Sequence, residues 1–148
     1  METGRFLLRT VLTGLNQFRR AFWALTKRGG RGVLAVPLTP AGKLVLVRLT
    51  YAGGWHLPGG GFGRKEDPEA AALRELAEEI GMTGHGEVSR LDPIGSSLMF
   101  VVRDVVYAPR RTFEIEEVAA FAPDALPSGT TRSAESGLAE ALKLIRRA

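Results

Sequence analysis

Residues 59–82 read GGGFGRKEDPEAAALRELAEEIGM, and no other stretch constrains the chain as strongly. Asp67-Pro68 predicts a helix start, with Asp67 as the N-cap and Pro68 at the first helical position. The helix runs through Ile80, and Gly81 stops it as a C-cap. Along it Glu75, Glu78 and Glu79 fall at i, i+3 and i+4, which puts three carboxylates on one face within a turn. Like charges at that spacing repel unless something cationic neutralises them. A hard divalent ion suits the task, because Mg²⁺ and Mn²⁺ prefer carboxylate and water oxygens. Arg74 adds one fixed cation, and Glu66 in the preceding segment is its candidate bidentate partner. The glycines Gly59, Gly60, Gly61 and Gly63 read as a loop that can take φ > 0 and lie close to a ligand. A carbonyl from that loop is a candidate additional oxygen ligand. Glycine loop, short helix and clustered acids together suit metal-assisted attack on a phosphorus centre.

The flanking sequence predicts how this segment is framed. VLAVPL at 33–38 and KLVLVRL at 43–49 read as strands joined by the turn Pro40-Ala41-Gly42, which suggests a hairpin. Pro37 marks an edge or bulge. Trp55-His56-Leu57 is a short apolar stretch leading into the glycines. Strands are expected at about 86–91, 97–107 and 113–121, followed by a turn at Asp124-Ala125-Leu126-Pro127 and a closing helix at about 133–147. Helices set among mixed strands imply a layered α/β or α+β fold in a single domain.

Composition narrows the function classes. At 148 residues with 45% hydrophobic and 24% charged residues, the chain has ordinary globular usage, which argues against a disordered or fibrous protein. Cysteine is absent, which removes disulfides, thiolate nucleophiles and Cys-ligated metal sites. No apolar run approaches the roughly 18 residues of a membrane span. Arg5, Arg9, Arg19 and Arg20 interrupt any signal-peptide core, so a cytoplasmic location is expected. The net charge of +4 is unevenly placed. Through Arg31 there are seven bases against Glu2 alone, or +6, leaving −2 for the remainder. Leu7, Val11, Leu15, Phe18, Phe22 and Leu25 recur at helical spacing. Residues 4–27 therefore read as a basic amphipathic helix, weakened at Gly14. The division expected is 1–31 for this helix and its linker and 32–148 for the folded domain. Such a helix docks on its own domain or on a second subunit, making a homodimer one reading. Recruitment to RNA or to a membrane surface is the other.

The 59–82 segment resembles the box of the Nudix hydrolases, G-x5-E-x7-R-E-U-x-E-E-x-G-U with U a bulky aliphatic. Gly60, Glu66, Arg74, Glu75, Leu76, Glu78, Glu79, Gly81 and Met82 fill all its fixed positions. Average residue usage gives a chance match on the order of 10⁻⁷. The resemblance implies an α/β/α sandwich around a mixed sheet, here with an extra N-terminal amphipathic helix. It implies a Mg²⁺-dependent enzyme, with Mn²⁺ as substitute, that cleaves a nucleoside diphosphate linked to another moiety by water attack on phosphorus. By the same resemblance Glu78 and Glu79 are the principal metal ligands, and Glu75 is a further ligand or the general base. Glu66 and Arg74 form an ion pair holding loop to helix, and the Gly59 carbonyl is an extra ligand. A late E-I-x-E pattern, Glu114-Ile115-Glu116-Glu117 ahead of Phe121, offers Glu114 or Glu117 as one more acid.

Substrate markers of several subgroups are missing. There are no cysteines for a zinc ribbon, Ser97 stands where ADP-ribose pyrophosphatases often have proline, and Leu98-Met99-Phe100 replaces a tyrosine of dinucleoside polyphosphate hydrolases. The resemblance runs furthest with short bacterial Nudix domains, which share the 55–61 lead-in and the Ala-Leu-Pro-x-Gly-Thr-Thr turn at 125–131. The expected partner is a nucleotide or nucleoside diphosphate derivative. Alternatives are a nucleotide sensor without catalysis, and an RNA 5′-end pyrophosphohydrolase recruited by the basic helix. Trp55, Phe62 and Phe100 are candidate base-stacking rings, Trp55 and Phe100 being equally suited to the core. His56 reads as a strand residue.

Overall fold

Two strands with nearly unbroken apolar runs, β1 (Gly32–Pro37) and β2 (Leu44–Leu49), organise the computed structural model, which describes residues 32–148. Both lie between two helices, α1 (Pro68–Ile80) and α2 (Arg132–Arg147). Successive side chains of a strand point to opposite faces, so a strand covered on both sides needs apolar residues at almost every position. Val36, Leu44 and Leu46 accordingly pack with Ala134, Leu138 and Ala141 of α2. Their neighbours Ala35, Val45, Val47 and Leu49 pack with Leu76 and Ile80 of α1. This is the expected α/β/α layering with mixed strand directions. The basic helix expected at 4–27 lies outside the described residues.

The remaining strands are β3 (Trp55–His56), β4 (Gly59–Gly61), β5 (Met82–Gly84), β6 (Val88–Ile94), β7 (Ser97–Val102), β8 (Val106–Tyr107) and β9 (Ile115–Phe121). They form a four-stranded sheet in the order β4-β1-β7-β6, a three-stranded sheet β3-β2-β9 and a small pair β5-β8. β1 and β7 are parallel, and the other pairings are antiparallel.

The expected hairpin of the first two strands does not form. β1 and β2 share only the bridge Leu38↔Leu44 and then enter different sheets, where β7 and β9 supply longer pairings. Pro37 fits this topology. The Ala35 N–H donates to Pro58 O on the β4 side, while the Leu38 N–H donates to Val102 O on the β7 side. By alternation the missing N–H of Pro37 falls on the β4 side, beyond the last β4 contact. The single strand expected over 97–107 is broken into β7 and β8 near Asp104, which takes a left-handed φ of 52°.

The glycine run is also not a free loop. Gly59, Gly60 and Gly61 pair with Leu34, Val33 and Gly32 as strand β4, and none of the run has a positive φ. What demands glycine is close approach: a methyl group at Gly59 would collide with the Val33 carbonyl, and one at Gly60 with the Glu75 carboxylate.

The lead-in at 55–61 and the turn at 125–131, remote in sequence, meet in space. The Trp55 N–H donates to Gly129 O at 2.9 Å and the Thr131 N–H to Trp55 O at 3.0 Å. Trp55 stacks edge-on against Phe121 with ring centroids 4.9 Å apart. Trp55 and Phe100 are core residues, 8% and 4% exposed. This anchoring fixes the chain that runs directly into β4.

Candidate active site

Helix α1 begins and ends as its sequence requires. Asp67 accepts the Ala70 N–H at 3.0 Å, Pro68 occupies the first turn, and Gly81 closes the helix at φ 70°. The Ala108 N–H donates to Gly81 O, tying this end of α1 to the segment that leads toward β9. Ala71, Ala72, Leu76 and Ile80 bury the inner stripe. That orientation splits the three carboxylates expected on one face. Glu75 and Glu79 are drawn inward, 7% and 5% exposed, while the Glu78 side chain stays 60% exposed.

Arg74 gathers the cluster. Its Nε donates to Glu66 Oε1 at 2.8 Å, completing the expected ion pair. Nη1 reaches Glu75 Oε1 at 3.0 Å and Glu78 Oε2 at 3.4 Å, and Nη2 reaches Gly61 O at 3.3 Å. One guanidinium thus joins β4, the β4–α1 connection and α1. Gly59 contributes through its amide, which donates to Glu79 Oε2 at 3.1 Å. With the pair ionised, Glu79 Oε1 is buried without a hydrogen-bond partner among the described residues.

The electrostatics follow from this packing. The hydrogen bond to Arg74 holds the Glu66 carboxyl below the usual range. Burial pushes Glu75 up against the opposing pull of Arg74, and burial with the adjacent Glu75 charge pushes Glu79 well up. Two carboxylates in one low-dielectric site cannot both ionise cheaply.

The late acids separate. Glu114 is raised by burial and by the charge of Glu78, and its own charge acts on Glu79, so it belongs to the cluster. Glu117 instead pairs with Arg48 at 2.8 Å. The ring of His56 contacts Gly53 O at 2.8 Å. Sequence reasoning missed Tyr51, whose phenol is raised first by burial and then by the charges of Glu79 and Glu114. An aromatic just past the end of β2, before Gly53-Gly54, was its only local signal.

Three carboxylates, Glu66, Glu75 and Glu78, therefore face the Arg74 guanidinium, and Glu79 and Glu114 join the cluster through Glu75 and Glu78. Among the described residues no three acidic or histidine side chains already stand at ligating spacing, and Arg74 holds both Glu75 and Glu78. The donor set nevertheless fits a hard divalent cation. Its donors are carboxylate oxygens, and with the pair ionised Glu79 Oε1 is a buried acceptor with no donor among the described residues.

Comparison with known proteins agrees with the geometry. Residues 29–144 match the family model described as the NUDIX domain. A 65-residue stretch is 42% identical to Nudix hydrolase 25 of Arabidopsis thaliana, covering 43% of this chain and 37% of that protein. Over 48 residues the chain is 50% identical to an RNA pyrophosphohydrolase of Acidiphilium cryptum, covering 29% of each. The chain thus spans well under half the length of these curated relatives. Among solved structures, the MutT NUDIX hydrolase from Burkholderia pseudomallei superposes with a TM-score of 0.65 at 25% identity, covering 75% of this chain and 96% of that one.

Proposed function

The chain belongs to the NUDIX family, and from that premise we propose that it is a Mg²⁺-dependent pyrophosphohydrolase of a nucleotide or nucleoside diphosphate derivative. The observation that carries this reading is the buried Glu75–Glu79 pair, two acids packed side by side whose ionisation burial opposes and a bound cation would favour. Such a pair is costly to a fold and useful to a site that takes up a cation.

The family is typically dependent on a divalent metal. Glu75, Glu78 and Glu79, with the Gly59 carbonyl and Glu114, would hold Mg²⁺ or its substitute Mn²⁺. When bound, the cation neutralises phosphate charge and makes water a nucleophile near neutral pH. The chain's own part is positional. The Gly59 amide fixes Glu79, and the Glu66–Arg74 pair fixes Arg74, which in turn orients Glu75. Glu75 serves either as a ligand or as the proton acceptor. Glu117, engaged by Arg48, is the weaker of the two late candidates. Residues 32–148 are read as the catalytic unit and 1–31 as an appended basic element. No helix among the described residues is long and apolar enough to cross a membrane.

A second reading, an RNA 5′-end pyrophosphohydrolase, draws on the +6 charge of residues 1–31 and the similarity to the Acidiphilium cryptum protein. The test is phosphate or pyrophosphate release with Mg²⁺ and then Mn²⁺. The panel holds standard and oxidised nucleoside triphosphates, ADP-ribose, nucleoside diphosphate sugars, dinucleoside polyphosphates and 5′-triphosphate RNA. Turnover of a nucleotide derivative that is lost in Glu78→Gln supports the proposal. Preference for RNA favours the second reading. Silence across the panel with metal bound would turn the reading toward an unusual diphosphate outside the panel or toward a sensor.

A further inference from the structure

Two large exposed apolar residues flank the acidic cluster along the chain, Tyr51 near Glu79 and Glu114 and Phe113 directly before Glu114, and the cluster's chemistry gives neither a role. Tyr51 is 38% exposed and Phe113 is 68% exposed. Single exposed apolar residues are common and need no explanation. These two differ in being held together by the backbone at one place. Past the last β2–β9 pair, Leu49↔Ile115, the Thr50 N–H donates to Glu114 O at 3.1 Å and its hydroxyl to Phe113 O at 2.9 Å. Tyr51 follows directly. On the other strand, the Thr112 hydroxyl accepts the N–H of Ile115 at 3.0 Å and of Glu114 at 3.3 Å. Phe113 is therefore carried on a hydrogen-bonded turn rather than on a loose loop.

Glu114, between Phe113 and the start of β9, faces the carboxylates of α1, and Tyr51 feels the charges of both Glu79 and Glu114. An exposed ring on a fixed backbone, beside a site for phosphate chemistry, presents an apolar face at little further ordering cost.

We propose that Tyr51 and Phe113 form an aromatic rim on which the substrate's flat heterocyclic base stacks while its diphosphate lies at the carboxylates of α1. The proposal rests on the reading of the cluster as a diphosphate site and adds what that site recognises beyond phosphate. Every base has a π-face, so stacking selects base-bearing compounds over bare phosphates with only modest preference among bases. The rim sets affinity for the nucleoside and not the chemistry at phosphorus.

The test is equilibrium binding by the full chain, in Mg²⁺, of ADP, GDP, CDP and UDP, with inorganic pyrophosphate as the base-free probe. Wild type is expected to bind at least one nucleoside diphosphate more tightly than pyrophosphate. Tyr51→Ala and Phe113→Ala should each weaken nucleoside diphosphates by roughly 5- to 150-fold and leave pyrophosphate unchanged. Tyr51→Phe, which keeps the ring, should stay within about twofold of wild type. Both positions are exposed, and circular dichroism confirms that the variants fold. Unchanged nucleotide affinity in both alanine variants overturns the rim. So does equal weakening of pyrophosphate, loss in Tyr51→Phe matching that in Tyr51→Ala, or failure to bind any nucleoside diphosphate better than pyrophosphate. Loss of the expected binding pattern condemns the rim. An intact pattern in a protein that hydrolyses nothing condemns the hydrolase reading instead.

Discussion

Replacing Glu79 with glutamine should stabilise the metal-free protein while removing its response to metal. Glu79 is 5% exposed, with one oxygen bonded to the Gly59 N–H and the other without a partner among the described residues. Its neighbour Glu75 is nearly as buried and carries the same charge. Glutamine has nearly the same shape, keeps an acceptor for Gly59, and brings an amide N–H₂ that can donate to Glu75. Burial and Glu75 oppose the ionisation of Glu79 in the folded protein, so the substitution removes a carboxyl that folding disfavours near neutral pH. Leaving a buried acceptor unsatisfied costs ~1–3 kcal/mol, more when charged. For a chain of this length 1 kcal/mol moves Tm by roughly 2–4 °C. Glu79→Gln in EDTA should therefore melt about 2–12 °C above wild type near neutral pH. In Mg²⁺ the order should reverse or close, because wild type alone gains RT ln(1 + [L]/Kd), about 2.7 kcal/mol at one hundred times Kd. The sign is checked by pH. A carboxyl raised in the folded state favours folding less as pH climbs above its unfolded value, so the advantage of the glutamine variant should shrink from pH 7 toward pH 5. Scanning calorimetry with and without Mg²⁺ reads all three effects. A metal-free variant less stable than wild type, or an equal Mg²⁺ shift in both proteins, would refute the reasoning.

Three further substitutions separate chemistry from packing. Glu78→Gln alters a side chain 60% exposed, so stability should stay within ~0.5 kcal/mol while turnover falls at least ~10²-fold, read by melting and initial rates. Gly60→Ala places a methyl group in the Glu75 carboxylate, so it should cost ~1–3 kcal/mol and depress turnover while circular dichroism stays native. Gly137→Ala should destabilise despite a helix-propensity gain of ~1 kcal/mol, because the new Cβ would lie 2.8 Å from Met99 Sδ, 3.1 Å from Val36 and 3.2 Å from Leu57. Urea denaturation checks the sign, and a stabilised variant would show that α2 shifts freely on the sheet.

Legibility tracked the range of the interactions. Helix α1 was readable to the residue because Asp67, Pro68 and Gly81 act on their own turns, and the Glu66–Arg74 pair because it spans one short connection. The pairing of β1 with β7 was not readable. Pro40-Ala41-Gly42 favours a local hairpin, whereas the two-sided burial of both strands is decided by partners far along the chain. The same blindness hid β4, whose glycines answer to the Val33 carbonyl and the Glu75 carboxylate rather than to any turn. The inward turn of Glu79 and outward turn of Glu78 depended on which stripe α1 would bury. Tyr51 carried no motif, and it is the long-range Thr50–Glu114 and Thr50–Phe113 contacts that carry its segment toward the acids.

The inner face of α1 shows why the site is built where local rules fail. Ala72, Leu76 and Ile80 form an ordinary buried row at i, i+4 and i+8, and Glu75 and Glu79 form the row beside it at the same spacing. Apolar side chains in that second row would widen the stripe and stabilise the helix on its sheet. Carboxylates there instead require Arg74 on one side, the Gly59 amide on another, and a Cβ-free Gly60 to make room. Each support comes from a different segment, and none neutralises the whole charge. A helix dispensing with function has no use for that arrangement, because buried ion pairs rarely outperform apolar packing. The uncompensated remainder is what a cation can convert into binding free energy, so the local instability and the affinity for metal have one origin.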